Sequence, residues 1–188
     1  MILNNLLCNY IYCIFSETCQ KGLGMNAVKK VYRSVATYEK RKYWKESFFY
    51  DEKHRIHYLN TLKEQEIDVY GSVNEFSMAK RSEATIVKLN KLMCDLDCHE
   101  GGFNEWVTLE VLRADFFGSQ VPYPSEVVNS GRGLHLYWYL EDEGRESLAK
   151  WKTVQQIILN SLAPISEQTS CNVDFKCIDP ARVLRVEG

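Results

Sequence analysis

The sequence is short of several things, and each shortage removes a class of protein. No Cys-x-x-Cys pair occurs among its seven cysteines, Cys8, Cys13, Cys19, Cys94, Cys98, Cys171 and Cys177. Cys94, Cys98 and His99 with Cys171 and Cys177 are too irregularly spaced for a usual zinc site, so none is expected. An odd cysteine count with no positively charged leader points to reduced, buried or free thiols and a cytoplasmic protein. No long apolar run is present. Residues 1–15 are the most hydrophobic stretch, but Asn4, Asn5 and Asn9 interrupt them and they are too short to span a bilayer, so no membrane role is expected. Net charge is −2 and the sequence pI about 6.1, so there is no overall basic character. This disfavours a tight nucleic-acid binder but not an enzyme that holds nucleic acid in a local groove. No Ser–His–Asp or Cys–His set stands out, and there are no repeats or low-complexity tracts.

What is present is an ordinary globular composition over 188 residues, 45% hydrophobic and 26% charged, enough for one domain with a substantial core. Residues 1–24 read as an extension, and the folded domain runs over 25–188. Val28, Val31, Tyr32 and Val35 recur at helical spacing, which predicts a charged helix from Ala27 to Phe49. Its basic run, Lys40, Arg41, Lys42 and Lys45, is interleaved with Tyr43 and Trp44 and reads as a solvated helix face or a phosphate contact. A second helix is expected over 52–63 and a strand over Ile67–Asn74, followed by a basic loop from Phe76 to Ala84.

The stretch KLMCDLDCHE, Lys91–Glu100, reads as a strand ending in Asp95 and Asp97. Side chains two apart on a strand share a face, so D-x-D sets two carboxylates side by side, the arrangement a hard divalent cation prefers. Asn104 is placed to cap a helix over 105–117, with Trp106, Leu109, Leu112 and Phe116 on one face. Strands are expected over Glu126–Asn129 and Leu134–Leu140, then a turn over Glu141–Gly144 and a helix over Arg145–Leu162. Between the two strands lies Ser130-Gly131-Arg132-Gly133, followed by His135. The glycines allow close backbone approach, and Ser130 and Arg132 offer donors to phosphate oxygens. Leu134, Leu136, Trp138 and Leu140 alternate onto the face opposite His135. Asp174 sits in the short β-like run Asn172–Phe175, where it supplies a third carboxylate. Asp179, before Pro180, is the competing candidate but fits a turn or cap better. Arg182 and Arg185 are suited either to phosphates or to pairing with surface acids.

The order of these motifs, an apolar strand ending D-x-D, then S-G-R-G-x-H, a later Asp and D-P-A-R-h-h-R-h, resembles the archaeo-eukaryotic primase superfamily. It is most similar to the primase–polymerase domains of plasmids, phages and integrative elements. The resemblance covers Ile67–Gly188. It implies a DNA primase/polymerase that works by nucleotidyl transfer, with Asp95, Asp97 and Asp174 holding two Mg²⁺ or Mn²⁺ ions. Ser130, Arg132, Gly133, His135, Arg182 and Arg185 would bind the nucleotide. The implied partners are a single-stranded DNA template and primer, an NTP or dNTP, and a helicase domain or protein. Where relatives continue R-h-P-G-T-x-N-x-K, this chain reads Arg185-Val186-Glu187-Gly188, so a domain cut short at its C-terminus, or a catalytically decayed nucleic-acid-binding remnant, is the alternative. The strand–helix–strand–strand–helix–strand order of the second half predicts an α+β fold with a ferredoxin-like split βαβ core and an N-terminal helical and strand extension.

Overall fold

The computed structural model describes residues 30–39, 43–63, 65, 67–98 and 104–186. The expected extension over 1–24, the basic run at 40–42 and the turn over 99–102 lie outside them. Chain order is β1 (Arg33–Glu39), β2 (Tyr43–Phe49), α1 (Glu52–Lys63), β3 (Asp68–Ser72), β4 (Glu75–Phe76), β5 (Ile86–Asp97), α2 (Glu105–Val111), β6 (Glu126–Asn129), β7 (Gly133–Gly144), α3 (Leu148–Leu162), β8 (Asn172–Val173) and β9 (Val183–Arg185). The chain is a mixed α/β protein with antiparallel sheets, and among the described residues no helix is long and apolar enough to cross a membrane.

One sheet runs β4-β5-β7-β6, and β8 pairs with the far end of β5. β4 therefore covers the start of one β5 edge, at Ile86 and Lys88, and β8 covers its end, at Leu96 and Asp97. Backbone groups left between them still need partners, because a buried unpaired amide is costly. Side chains supply them. Asn74 Oδ1 accepts from Asn90 N at 2.8 Å, Trp151 Nε1 donates to Lys91 O at 2.9 Å, and Gln155 bonds both backbone groups of Met93. Helix α3 is thus fixed to the strand by hydrogen bonds as well as by packing. Leu92, Leu96, Leu134 and Leu136 present one face of the sheet to Trp151, Val154, Ile158 and Leu162 of α3, all buried.

The other sheet runs β2-β1-β3-β9. Here the structure corrects the sequence reading. The expected helix over 27–49 is, over its described residues, a hairpin of β1 and β2, so the N-terminal layer is a sheet with one helix. Helical spacing of valines loses to long-range pairing: Val35 sits opposite Gly71 and Thr37 opposite Val69 of β3. Helix α1, as expected, packs Leu62 against Val35 and Val69.

Smaller corrections follow the same logic. Glu141–Gly144 is no turn, because β7 continues to Gly144 to pair with Leu89 and Lys88. Phe76 is a fully buried strand residue. Asn104 does cap α2, accepting from Val107 N at 3.1 Å, but Trp106 is 74% exposed while Leu112 and Phe116 face the core. The thiols expected to be free include a bonded pair, since Cys98 and Cys171 form a disulfide 73 residues apart. They meet because β8 pairs with the end of β5, which brings Asn172 opposite Asp97.

Candidate functional site

The β5–β7 register sets Asp95 opposite His135 and Asp97 opposite Gly133. Asp95, Asp97 and His135 therefore share the sheet face opposite the leucine core. Gly133 has a steric reason to be there, since a Cβ on it would lie 1.8 Å from Leu96 O. Ahead of it the β6–β7 connection is tight. Ser130 N donates to Gly133 O at 3.0 Å, and Gly131 N donates to Asn129 Oδ1 at 2.8 Å. Gly131 holds φ of 79°, in the left-handed region that favours glycine. The turn delivers Ser130 and the exposed Arg132 to the rim of a cavity of about 150 Å³.

That cavity is lined by Asp95, Asp97, His135 and Arg132 from the five-stranded sheet, and by Tyr70 and Arg185 from the four-stranded one, with Arg182 just before β9. Two carboxylates thus face three guanidinium groups across a small open space. Each arginine is held differently. Arg185 pairs with Asp68 at 3.1 Å and lies 5.7 Å from the Tyr70 ring centroid. Arg182 pairs with Asp174, while its buried Nε has no hydrogen-bond partner. Arg132 is exposed. The sequence alternative of pairing with acids is therefore realised for Arg182 and Arg185, although both also line the cavity.

His135 is only 3% exposed. Its Nε2 lies 3.5 Å from Asp95 Oδ1 and its Nδ1 3.4 Å from the Tyr137 hydroxyl. Burial, and then the charges of Arg185 and Arg182, lower its pKa to about 4, against an opposing backbone hydrogen bond at Arg185. The ring is neutral at pH 7, so its contact with Asp95 is dipolar rather than an ion pair. Burial holds the Tyr137 hydroxyl well above its ordinary range, and it pushes the Cys177 thiol up to about 12. His135, Tyr137 and Cys177 are therefore all uncharged at pH 7.

Asp174 follows β8, and its backbone N donates to Asp95 O at 2.8 Å. Its side chain is engaged: Oδ1 accepts from Lys176 N at 2.9 Å, and Oδ2 accepts from Arg182. Among the described residues no group of three or more His, Cys, Asp or Glu side chains is gathered closely enough to hold a metal ion. The expected convergence of three carboxylates is therefore reduced to an adjacent pair, Asp95 and Asp97, with Asp174 neighbouring them through the backbone but neutralised by arginine. Asp179 forms the turn its sequence suggested, accepting from Ala181 N at 2.9 Å.

Sequence reasoning missed Tyr70 and the disulfide beside Asp97. Nothing local marks Tyr70, whose position follows only from β3 pairing with β9. The disulfide joins the residue after Asp97 to a segment three residues ahead of Asp174, so it ties together the backbone carrying the site.

No family model matches the chain, and no solved structure matches it. Over 130 residues the chain is 31% identical to a replication protein of Clostridium perfringens. The match takes in 69% of this chain but 30% of that relative's length.

Proposed function

We propose that this chain performs nucleotidyl transfer on a nucleic-acid template during replication, as a primase–polymerase domain of the archaeo-eukaryotic primase superfamily. The observation that carries the reading is the pair Asp95 and Asp97, side by side on one strand face and opening into a cavity shared with Arg132, Arg182 and Arg185. Phosphoryl chemistry needs both halves of that arrangement: carboxylates for a divalent cation, and cations for the phosphate oxygens. The name of the similar replication protein supports the setting. The strand order β8-β5-β7-β6, with α2 and α3 as the crossovers, supports a ferredoxin-like reading of the second half.

Asp95 and Asp97 fit a magnesium or manganese ion by donor type and adjacency. When bound, such an ion neutralises charge at the attacked phosphate and the departing pyrophosphate. Asp174, beside them through the backbone, would join that set while shared with Arg182. The protein's own residues then divide the work. Neutral His135 braces Asp95 without adding charge. Arg132 and Ser130 meet the triphosphate from the β6–β7 turn, and Arg185 and Arg182 meet it from the β9 side.

One observation favours a second reading, a nucleic-acid-binding domain without catalysis: the third carboxylate is already neutralised by Arg182. Arg132→Ala separates site assignments within the first reading. Loss of a charge-assisted phosphate contact costs about 1.5–3 kcal/mol, so the apparent KM for nucleotide should rise about tenfold to a hundredfold while single-stranded DNA affinity is nearly unchanged. Weaker DNA binding with nucleotide binding spared would assign the loop to the template instead.

A further inference from the structure

The four-stranded sheet carries a feature that extends beyond the candidate cavity. On one face, pairing sets Tyr38 opposite Trp44, and Tyr70 opposite Arg185. The rings form a row: Tyr38 and Trp44 lie 6.4 Å apart with planes tilted 53°, and Trp44 and Tyr70 lie 5.4 Å apart, tilted 45°. These are ordinary tilted aromatic contacts, and what sets the row apart is its exposure. Trp44 is 47% exposed, whereas the opposite face of the same sheet is covered by α1 through Leu62, Val35 and Val69. Further along the row's own face the surface closes, with Ala36 fully buried and Glu46 paired with Arg81. The open end is the aromatic one. It leads into the nucleotide cavity, because Tyr70 and Arg185 are shared between the row and the cavity lining. Arg185 is held in place there by Asp68 and by the Tyr70 ring and hydroxyl.

One exposed ring, Trp44, flanked by the half-buried Tyr38 and Tyr70 and by an anchored guanidinium, suits a ligand with flat apolar faces on an anionic backbone. Base–aromatic stacking is sequence-tolerant because every base has a π-face, and it needs bases that are not already paired. A folded protein partner would call for a contiguous apolar patch, and a row ending in Arg132, Arg182 and Arg185 offers charge instead. We propose that Trp44, Tyr38 and Tyr70 form a stacking platform for unpaired bases of single-stranded DNA, which leads the strand toward Asp95 and Asp97. The direction of the strand toward those carboxylates rests on the nucleotidyl-transfer reading; the platform itself does not.

The test is fluorescence anisotropy of a labelled oligothymidylate with the full chain, without nucleotide or divalent metal, so that it reads the platform alone. Trp44→Ala should weaken binding about tenfold or more, as expected for loss of one stacking ring. Trp44→Phe should bind close to wild type but lose the tryptophan quenching that accompanies binding. Trp106→Ala, which removes an exposed ring outside the row, should bind as wild type. Unchanged thermal unfolding of the exposed-site Trp44 variants would exclude misfolding as the cause. Wild-type affinity in Trp44→Ala, equal losses in Trp44→Ala and Trp106→Ala, or binding of oligouridylate but not of DNA would each overturn the platform. Failure of nucleotide incorporation with the platform results intact would overturn the catalytic reading and leave the platform standing.

Discussion

The two sheets differ in what holds them. The five-stranded sheet rests on a continuous apolar layer, with Leu92, Leu96, Leu134 and Leu136 fully buried against α3. The four-stranded sheet has a much smaller core, Val35, Leu62 and Val69, and leans on ion pairs: Arg33 with Glu75 and Glu52, Arg81 with Glu46, and Arg185 with Asp68. Apolar burial is worth more than partly exposed pairs, which contribute about 0–1 kcal/mol each. The carboxylates therefore stand on the better-packed sheet, where strand pairing sets the spacing of Asp95 and Asp97. Arg185 and Tyr70 come from the less firmly packed one.

The largest expected effect tests that contrast directly. Leu136→Ala, in the five-stranded core, should cost about 2–5 kcal/mol in urea unfolding, whereas Leu62→Ala should fall at or below the low end of that range. Equal losses would remove the distinction between the sheets. Next is the disulfide. Replacing Cys98 and Cys171 together by serine should cost about 2–4 kcal/mol, because the bridge closes a long loop in the unfolded chain. The loss should fall on the β5–β8 junction, with reduced hydrogen-exchange protection around Asn172 and Val173. A smaller effect follows from His135. Its pKa falls from 6.5 in the unfolded chain to about 4 in the fold, so the unfolded state binds the proton more readily. Its contribution is complete above pH 6.5 and is lost as pH falls from there toward 4. The slope from this one group is at most about 1.4 kcal/mol per pH unit. His135→Gln should flatten the acid limb of stability measured over that interval, and an unchanged limb would show that the ring does not titrate in this way.

Much of the firm sheet was legible in the sequence, because its rules are local. Alternation in LHLYWYL gave β7 its core face, D-x-D parity put Asp95 and Asp97 together, and Asn104 announced the cap of α2. The softer sheet was not legible, because its strands are specified by distant partners. Val35 carries helical spacing with its sequence neighbours yet pairs with Gly71. In the candidate site the limits were of the same kind. The residues brought to the cavity were named from motifs, but the commitment of Asp174 to Arg182 depends on the turn at Asp179–Arg182 folding back. Tyr70 and the Cys98–Cys171 bridge depend wholly on strand pairing.

The central claim is that Asp95 and Asp97 make this a nucleotidyl-transfer site. The most direct measurement is nucleotide incorporation on a primed single-stranded template with magnesium or manganese, comparing wild type with the Asp95→Asn, Asp97→Asn double variant. Asparagine keeps the shape and an acceptor oxygen of each carboxylate, so thermal unfolding of the double variant separates loss of activity from loss of the fold. The account predicts incorporation by the wild type and none by the double variant, with the double variant still unfolding cooperatively. Incorporation retained by the double variant, or absent from the wild type under every metal and template tried, would contradict it.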